Sequence, residues 1–310
     1  MQIAIIDLGT NTFNLLIAEV NANNNYTILS ETKYPAKIGK GGINNNTITP
    51  EAFERGFKAL ETHLETIAQF NVDQIKCFAT SAIRSASNGK TFVSQVKEKF
   101  NLDINVIQGD KEAELIYDGV KQVVPIGAEN VLIMDIGGGS TEFIIANKNE
   151  VVWKHSFNIG AARMLDLIQP SQPIKTDEIS KLETYISSEL ELLFTEIKKH
   201  KVDRLVGSSG SFDTIAAMIA VEEHPHLDMS KTTSYKIEMD LFEKLHQKYL
   251  SSTLEERLQM KKMESHRAEM IVLASIFIKF TIEKLNIKEV FQCNYALKEG
   301  AIYQILNKKI

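Results

Sequence analysis

Residues 7–18 read DLGTNTFNLLIA and residues 135–146 read DIGGGSTEFIIA. Each segment ends an apolar run on an aspartate, Asp7 or Asp135, and follows it two positions later with a glycine. The first then supplies Gly9, Thr10, Asn11 and Thr12; the second supplies Gly137, Gly138, Gly139, Ser140 and Thr141. Where side chains are given up, backbone N–H groups can come close to an anion, and hydroxyls add further donors. Two aspartates beside such turns would repel a bare phosphate, and a divalent cation between them resolves the conflict. Either turn alone reads equally well as a hairpin with a solvated carboxylate, so the weight lies in the matched pair.

Two more loops offer related chemistry. ATSAIR, residues 79–84, brings the hydroxyls of Thr80 and Ser81 and the guanidinium of Arg84, which is suited to a two-pronged phosphate contact. GSSGS, from Gly207 through Ser208, Ser209 and Gly210 to Ser211, precedes a helical pattern whose first N–H groups strengthen an anion site. The blander readings are a surface residue for Arg84 and a flexible turn for the Gly-Ser loop. Between the two halves lies GDKEAELIYDG, in which Glu112 shares a helix face with Ile116 and Gly119 while Glu114 points elsewhere. A first-turn glutamate often only offsets the helix dipole. At the junction of a phosphate cleft, the same carboxylate can act as general base for an attacking water.

These side chains need strands and helices to hold them. Short β-rich runs at 2–8, 13–20 and 26–34 predict a meander. Thr49-Pro50-Glu51 opens a long helix with apolar residues at Phe53, Phe57, Leu60, Leu64 and Ile67. A strand at 75–79, a helix at 89–100 and a strand at 103–107 complete an α/β unit. The pattern then recurs: strands at 130–135, 141–147 and 150–157, a short helix from Ile159, a long helix over 176–199 and a strand at 202–207. Helices near 211–222, 238–250 and 266–284, the strand EVFQC and a closing helix follow. The aspartate turns match at an offset of 128 positions, and VDQIKCFATSAI matches VDRLVGSSGSFD at an offset of 130. Two matches at nearly one offset indicate a duplicated unit, joined near 119–128.

At 310 residues the chain suits two domains. A net charge of −5 gives no overall pull toward nucleic acid or an anionic membrane, so anions must be held by local devices. Cys77 and Cys293 each lie in apolar segments and suit a reducing cytoplasm better than a disulfide framework. The N-terminus reads as a strand without signal-peptide features, and the apolar run from Met270 is too short to span a membrane. The stripe Ile271, Ala274, Ile278 reads as core, with a share in a homodimer interface left open.

The chain resembles the exopolyphosphatase/guanosine pentaphosphate phosphatase (Ppx/GppA) family, within the superfamily that also holds actin, sugar kinases and chaperone ATPases. The likeness runs through IAIIDLGTNTFNLLIAEV, FATSAIR, IQGDKEAELIYDG, LIMDIGGGSTEF, VGSSGS, ESHRAEMI and ALKEGAIY, essentially the whole chain. It implies an α/β fold of two duplicated ribonuclease-H-like (actin-like ATPase) domains flanking a cleft. Residues 1–120 and 121–310 would form them, with a helix from about 299 free to pack back on the first. It further implies an enzyme that removes the terminal phosphate of inorganic polyphosphate, or of guanosine pentaphosphate, with Mg2+ (or Mn2+), and the cysteine usage places that enzyme in the cytoplasm as an expectation.

Carried over by position, Glu112 corresponds to the water-activating glutamate, with Arg84 and Asp135 as further catalytic residues. Asp7, Asp135 and Glu142 correspond to metal-linked carboxylates. Gly9 to Thr12, Ser81, Gly137 to Ser140, Glu142, Gly207 to Ser211 and Arg267 correspond to the phosphate-binding set. Asp110-Lys111 departs from the family where a second acidic residue is common, and longer members carry an extra helical C-terminal region. Two other readings compete: a phosphotransferase or ATPase of the superfamily, and a non-catalytic sensor of polyphosphate or alarmone. Glu112 and Asp135 speak against the sensor, because a pure binder needs no base.

Overall fold

The computed structural model describes residues 1–23 and 25–310. Apolar runs form the first meander, β1 (Gln2–Leu8), β2 (Phe13–Val20) and β3 (Tyr26–Tyr34). Helix α1 (Pro50–Ile67) starts where expected, with the Thr49 hydroxyl accepting from the Ala52 N–H and Pro50 at the first helical position. Then come β4 (Val72–Ala79), α2 (Ser81–Ser85), α3 (Gly89–Phe100), β5 (Ile104–Val106) and α4 (Gly109–Val120).

The second unit opens with β6 (Asn130–Ile136), β7 (Thr141–Ala146) and β8 (Val151–Phe157), followed by α5 (Ala161–Ile168), α6 (Thr176–Glu189), α7 (Glu191–Ile197) and β9 (Val202–Ser208). It continues through α8 (Gly210–Glu223), β10 (Ser234–Ile237), α9 (Met239–Ser251), α10 (Leu254–Leu258), α11 (Ile271–Lys284), β11 (Glu289–Cys293) and α12 (Leu297–Leu306). Among the described residues, no helix is long and apolar enough to cross a membrane.

Three details differ from the sequence pattern. The long helix expected over 176–199 is interrupted at Leu190, whose φ of −97° and ψ of 12° leave the helical range. The helix expected from 266 begins at Ile271, because Arg267 to Met270 first close a tight turn in which the Met270 N–H donates to the Arg267 carbonyl at 2.9 Å. Strand β10 is only four residues long and leaves no periodic signature.

The duplication is visible in the sheets. The first has the order β3-β2-β1-β4-β5 and the second β8-β7-β6-β9-β11-β10. In each, the central strand pairs antiparallel with its hairpin partner and parallel with the strand on its other side. Five strands therefore share one arrangement, the expected ribonuclease-H-like one, with β10 added antiparallel at one edge.

Strands β1 and β6 are buried on both faces, which is why they read as unbroken apolar runs. Ala4, Ile6 and Leu8 face the core under α1, while Leu132, Met134 and Ile136 face the core of the second unit. The alternate residues Ile3, Ile5, Val131 and Ile133 meet in a shared core that also holds Leu115 and Ile116 of α4 and Ala301 and Ile302 of α12. Ile271, Ala274 and Ile278 are at most 1% exposed, so the stripe offered to a homodimer partner is spent inside the chain.

Helices α4 and α12 cross at van der Waals limits. A Cβ on Gly300 would lie 1.7 Å from the Leu115 carbonyl oxygen, and one on Gly119 would lie 2.1 Å from that of Ala296. Neither obstacle is a flexible side chain, so the helices themselves would have to move. Gly300→Ala is expected to cost about 1–3 kcal/mol or more through overpacking, read as a lower urea midpoint at unchanged m-value. Gly127→Ala serves as control, since nothing lies within 4 Å of a Cβ there.

Candidate active site

The register of each hairpin sets the site. Asp7 pairs with Asn14, and the Asn14 amide donates to Asp7 Oδ2 at 2.9 Å. Asp135 pairs with Glu142 in the equivalent position, and its Oδ2 accepts from the Ser208 hydroxyl at 3.0 Å. The two turns press against each other. A Cβ on Gly138 would stand 2.8 Å from the Asn11 amide nitrogen, and one on Gly139 would stand 2.7 Å from Ser81 Oγ. Only glycine lets the second turn approach the first so closely. Ser81 Oγ is buried without a hydrogen-bond partner among the described residues, an unused donor at this junction.

One cleft collects most of the expected residues: Asp7, Gly9 to Thr12, Ser81, Glu112, Asp135, Gly137 to Ser140, Ser209 to Ser211 and Arg267. Four expected residues stand behind it. Gly207 makes room for the Phe212 ring, 2.0 Å from where its Cβ would be. Ser208 is fully buried and holds Asp135. Glu142 is 1% exposed, and Ser140 and Ser156 both donate to its Oε1, at 2.8 and 2.6 Å. Arg84, expected on phosphate, sits at the far end of the five-residue α2 and donates instead to Glu112 Oε2 at 2.8 Å and to the Ile107 carbonyl at 3.0 Å.

The carboxylates share a water-poor space. Burial, together with the charge of Glu142, pushes Asp135 up to about 7. Burial also raises Asp7, against the Asn14 hydrogen bond. Glu112 is raised well above the ordinary carboxylate range by burial and then by Glu142, with Arg84 opposing. Such a site calls for positive charge. Among the described residues, no three His, Cys, Asp or Glu side chains are grouped so as to hold a metal by themselves, and the trio Asp7, Asp135, Glu142 is not assembled because the two serines hold Glu142 back.

Other contributors carry no local motif. Arg163 is buried, and its guanidinium donates to the Gly139 carbonyl at 3.1 Å and to the Ile43 carbonyl at 2.9 Å, so it ties the glycine turn to the first unit. Lys298, Asp213 and Gln292 also line the cleft. The one hint in the sequence is a lysine beside a glutamate in the otherwise apolar ALKEGAIY.

A cleft whose two walls are matched turns rich in N–H and hydroxyl donors, with a buried glutamate at their meeting point, belongs to the proteins that act on phosphate groups. The model of the Ppx/GppA phosphatase family matches residues 16–309, and the chain belongs to that family. It is a phosphatase, a hydrolase by reaction class. The crystal structure of an exopolyphosphatase from Cytophaga hutchinsonii is 37% identical, covers 99% of this chain and 98% of its own, and superposes with a TM-score of 0.96. A Ppx/GppA family member from Aquifex aeolicus, 24% identical over 100% of this chain and 98% of its own, shares the fold at a TM-score of 0.81.

The first turn is braced from behind by His63, whose Nε2–H donates to the Phe13 carbonyl at 3.0 Å. Burial lowers its pKa, so below about pH 6.5 the unfolded chain takes up a proton that the folded one refuses. Stability from this group is present above that pH and lost as pH falls. His63→Gln is expected to flatten the decline of the urea midpoint between about pH 6.5 and 5. A variant as acid-sensitive as the wild type would contradict this.

Proposed function

We propose that the chain is an exopolyphosphatase: water attacks the terminal phosphorus of inorganic polyphosphate, the bridging P–O bond breaks, and orthophosphate leaves a chain one unit shorter. What carries the reading is the position of Glu112, lining the cleft beside both turns while Arg84 grips its carboxylate. Arg84 aims the Glu112 carboxylate and opposes the burial that raises its affinity for a proton, and that raised affinity makes the ionised group a stronger base toward water. Backbone N–H groups of the Gly137 to Gly139 turn, with Thr10, Thr12 and Ser81, would receive the phosphoryl oxygens as charge develops on them. Asp7 and Asp135 would hold a divalent cation, Mg2+ or Mn2+, together with substrate oxygens. When bound, it neutralises phosphate charge and the repulsion between the aspartates.

A second reading is hydrolysis of guanosine pentaphosphate to the tetraphosphate. It is favoured by the part of the cleft lining that holds Gln292, Asn294, Asp213, Met229 and Ala217, where Gln292 Oε1 and Asn294 Oδ1 have no hydrogen-bond partner among the described residues. Acceptors against an apolar wall suit the N–H edge of a guanine ring.

Phosphate release from long polyphosphate, short polyphosphate and guanosine pentaphosphate, measured in parallel with and without EDTA, separates these readings. Release from polyphosphate that EDTA abolishes is the expected outcome; silence on all three with Mg2+ present rejects both. Glu112→Ala should lower turnover by about 10²–10⁴-fold while binding persists. A variant that turns over like the wild type would remove Glu112 from the role of base.

A further inference from the structure

Lys298 is the second residue of α12, with a side chain 9% exposed, and it lines the cleft. Its Nζ lies 3.1 Å from Glu31 Oε1 on β3 and 3.5 Å from Glu299 Oε1. Burial alone would strip the ammonium of its proton, but the charges of Glu299, Glu31 and Asp7 outweigh it and hold Lys298 protonated above its ordinary range. The partners differ in kind. Glu299 is 1% exposed and spends its other oxygen on the Ala296 N–H at 2.8 Å, so it belongs to the helix start. Glu31 has a side chain 39% exposed, also lines the cleft, and is fixed by no other ion pair among the described residues.

A buried ion pair is a weak source of stability, because desolvation offsets the attraction. A permanently charged ammonium beside Asp7, guarded by one movable carboxylate, has a better use in a cleft for polyanions. Accepting the phosphatase reading, we propose that Lys298 is a substrate-contacting cation: its ammonium takes an oxygen of a phosphate adjacent to the reacting one, and Glu31 is the placeholder that yields it when that phosphate arrives. The ligand class is a linear phosphoanhydride of at least two phosphates. A single orthophosphate, seated in the turns, would not reach this contact and would leave Glu31 in place.

The two partners of the pair are predicted to act in opposite directions. In calorimetric titration of the purified full chain with tripolyphosphate in EDTA, Lys298→Met should weaken binding on the order of tenfold or more, the scale of a lost charge-assisted hydrogen bond. Lys298→Arg should recover most of it. Glu31→Gln should tighten binding about two- to fivefold, because a competing carboxylate is gone. With polyphosphate and Mg2+, Lys298→Met should act mainly on KM.

An ion pair that merely holds the fold predicts the same sign for both variants, so weaker or unchanged binding by Glu31→Gln overturns the proposal even if Lys298→Met fails to fold. Unaltered tripolyphosphate binding by a folded Lys298→Met overturns it as well. If the wild type hydrolyses none of the phosphate substrates yet the opposite-signed binding changes appear, the anion contact stands and the exopolyphosphatase reading falls.

Discussion

The contact between two glycine-bearing turns is the constraint on which the rest of the molecule depends. Gly138 and Gly139 can approach Asn11 and Ser81 only because they carry no side chain. That approach gathers donors from both sheets around one cleft, and it brings Asp7 and Asp135 close enough to feel each other. The cost is electrostatic, since burial and mutual repulsion raise the carboxylates together. A site in that condition favours ligands and ions that bring positive charge or permit it.

Supporting residues distribute this strain. Ser208 and Asn14 donate to the two aspartates, Ser140 and Ser156 to Glu142, and Arg84 to Glu112. Arg163 binds the back of the glycine turn to the short helical turn at Ile43, so the two walls are tied from outside the cleft as well as across it. Each of these groups acts by orienting another group and need not meet substrate. The polar burial is therefore organised in layers, donors and carboxylates at the surface of the cleft and their holders beneath.

Much of this was legible in the sequence, for a local reason. The strand, hairpin turn and strand around Asp7 and around Asp135 are each encoded within a dozen residues, so the repeat, the α/β class and the cleft's core could be read from pattern, while the ribonuclease-H-like fold came with the family resemblance. The helix capped by Thr49 was legible on the same ground. Which serine of GSSGS faces the cleft was not, because Ser208 and Ser209 to Ser211 are sorted by the end of a parallel strand and by the Phe212 ring. Arg84 had the right chemistry for phosphate, but its partner was fixed by α4, which its own segment does not contain. Lys298 and Arg163 act across spans that no local motif describes, and only packing brings them to the site.

The crossing of α4 and α12 has a consequence in time. Lys111 and Gln304, hydrogen-bonded at 2.7 Å, are 193 positions apart, and Gly300 seats against Leu115 over a similar span. A chain made from its N-terminus presents both aspartate turns and Glu112 well before α12 exists to cover the shared core. The cleft wall that carries Lys298 is therefore the last part of the site to be synthesised.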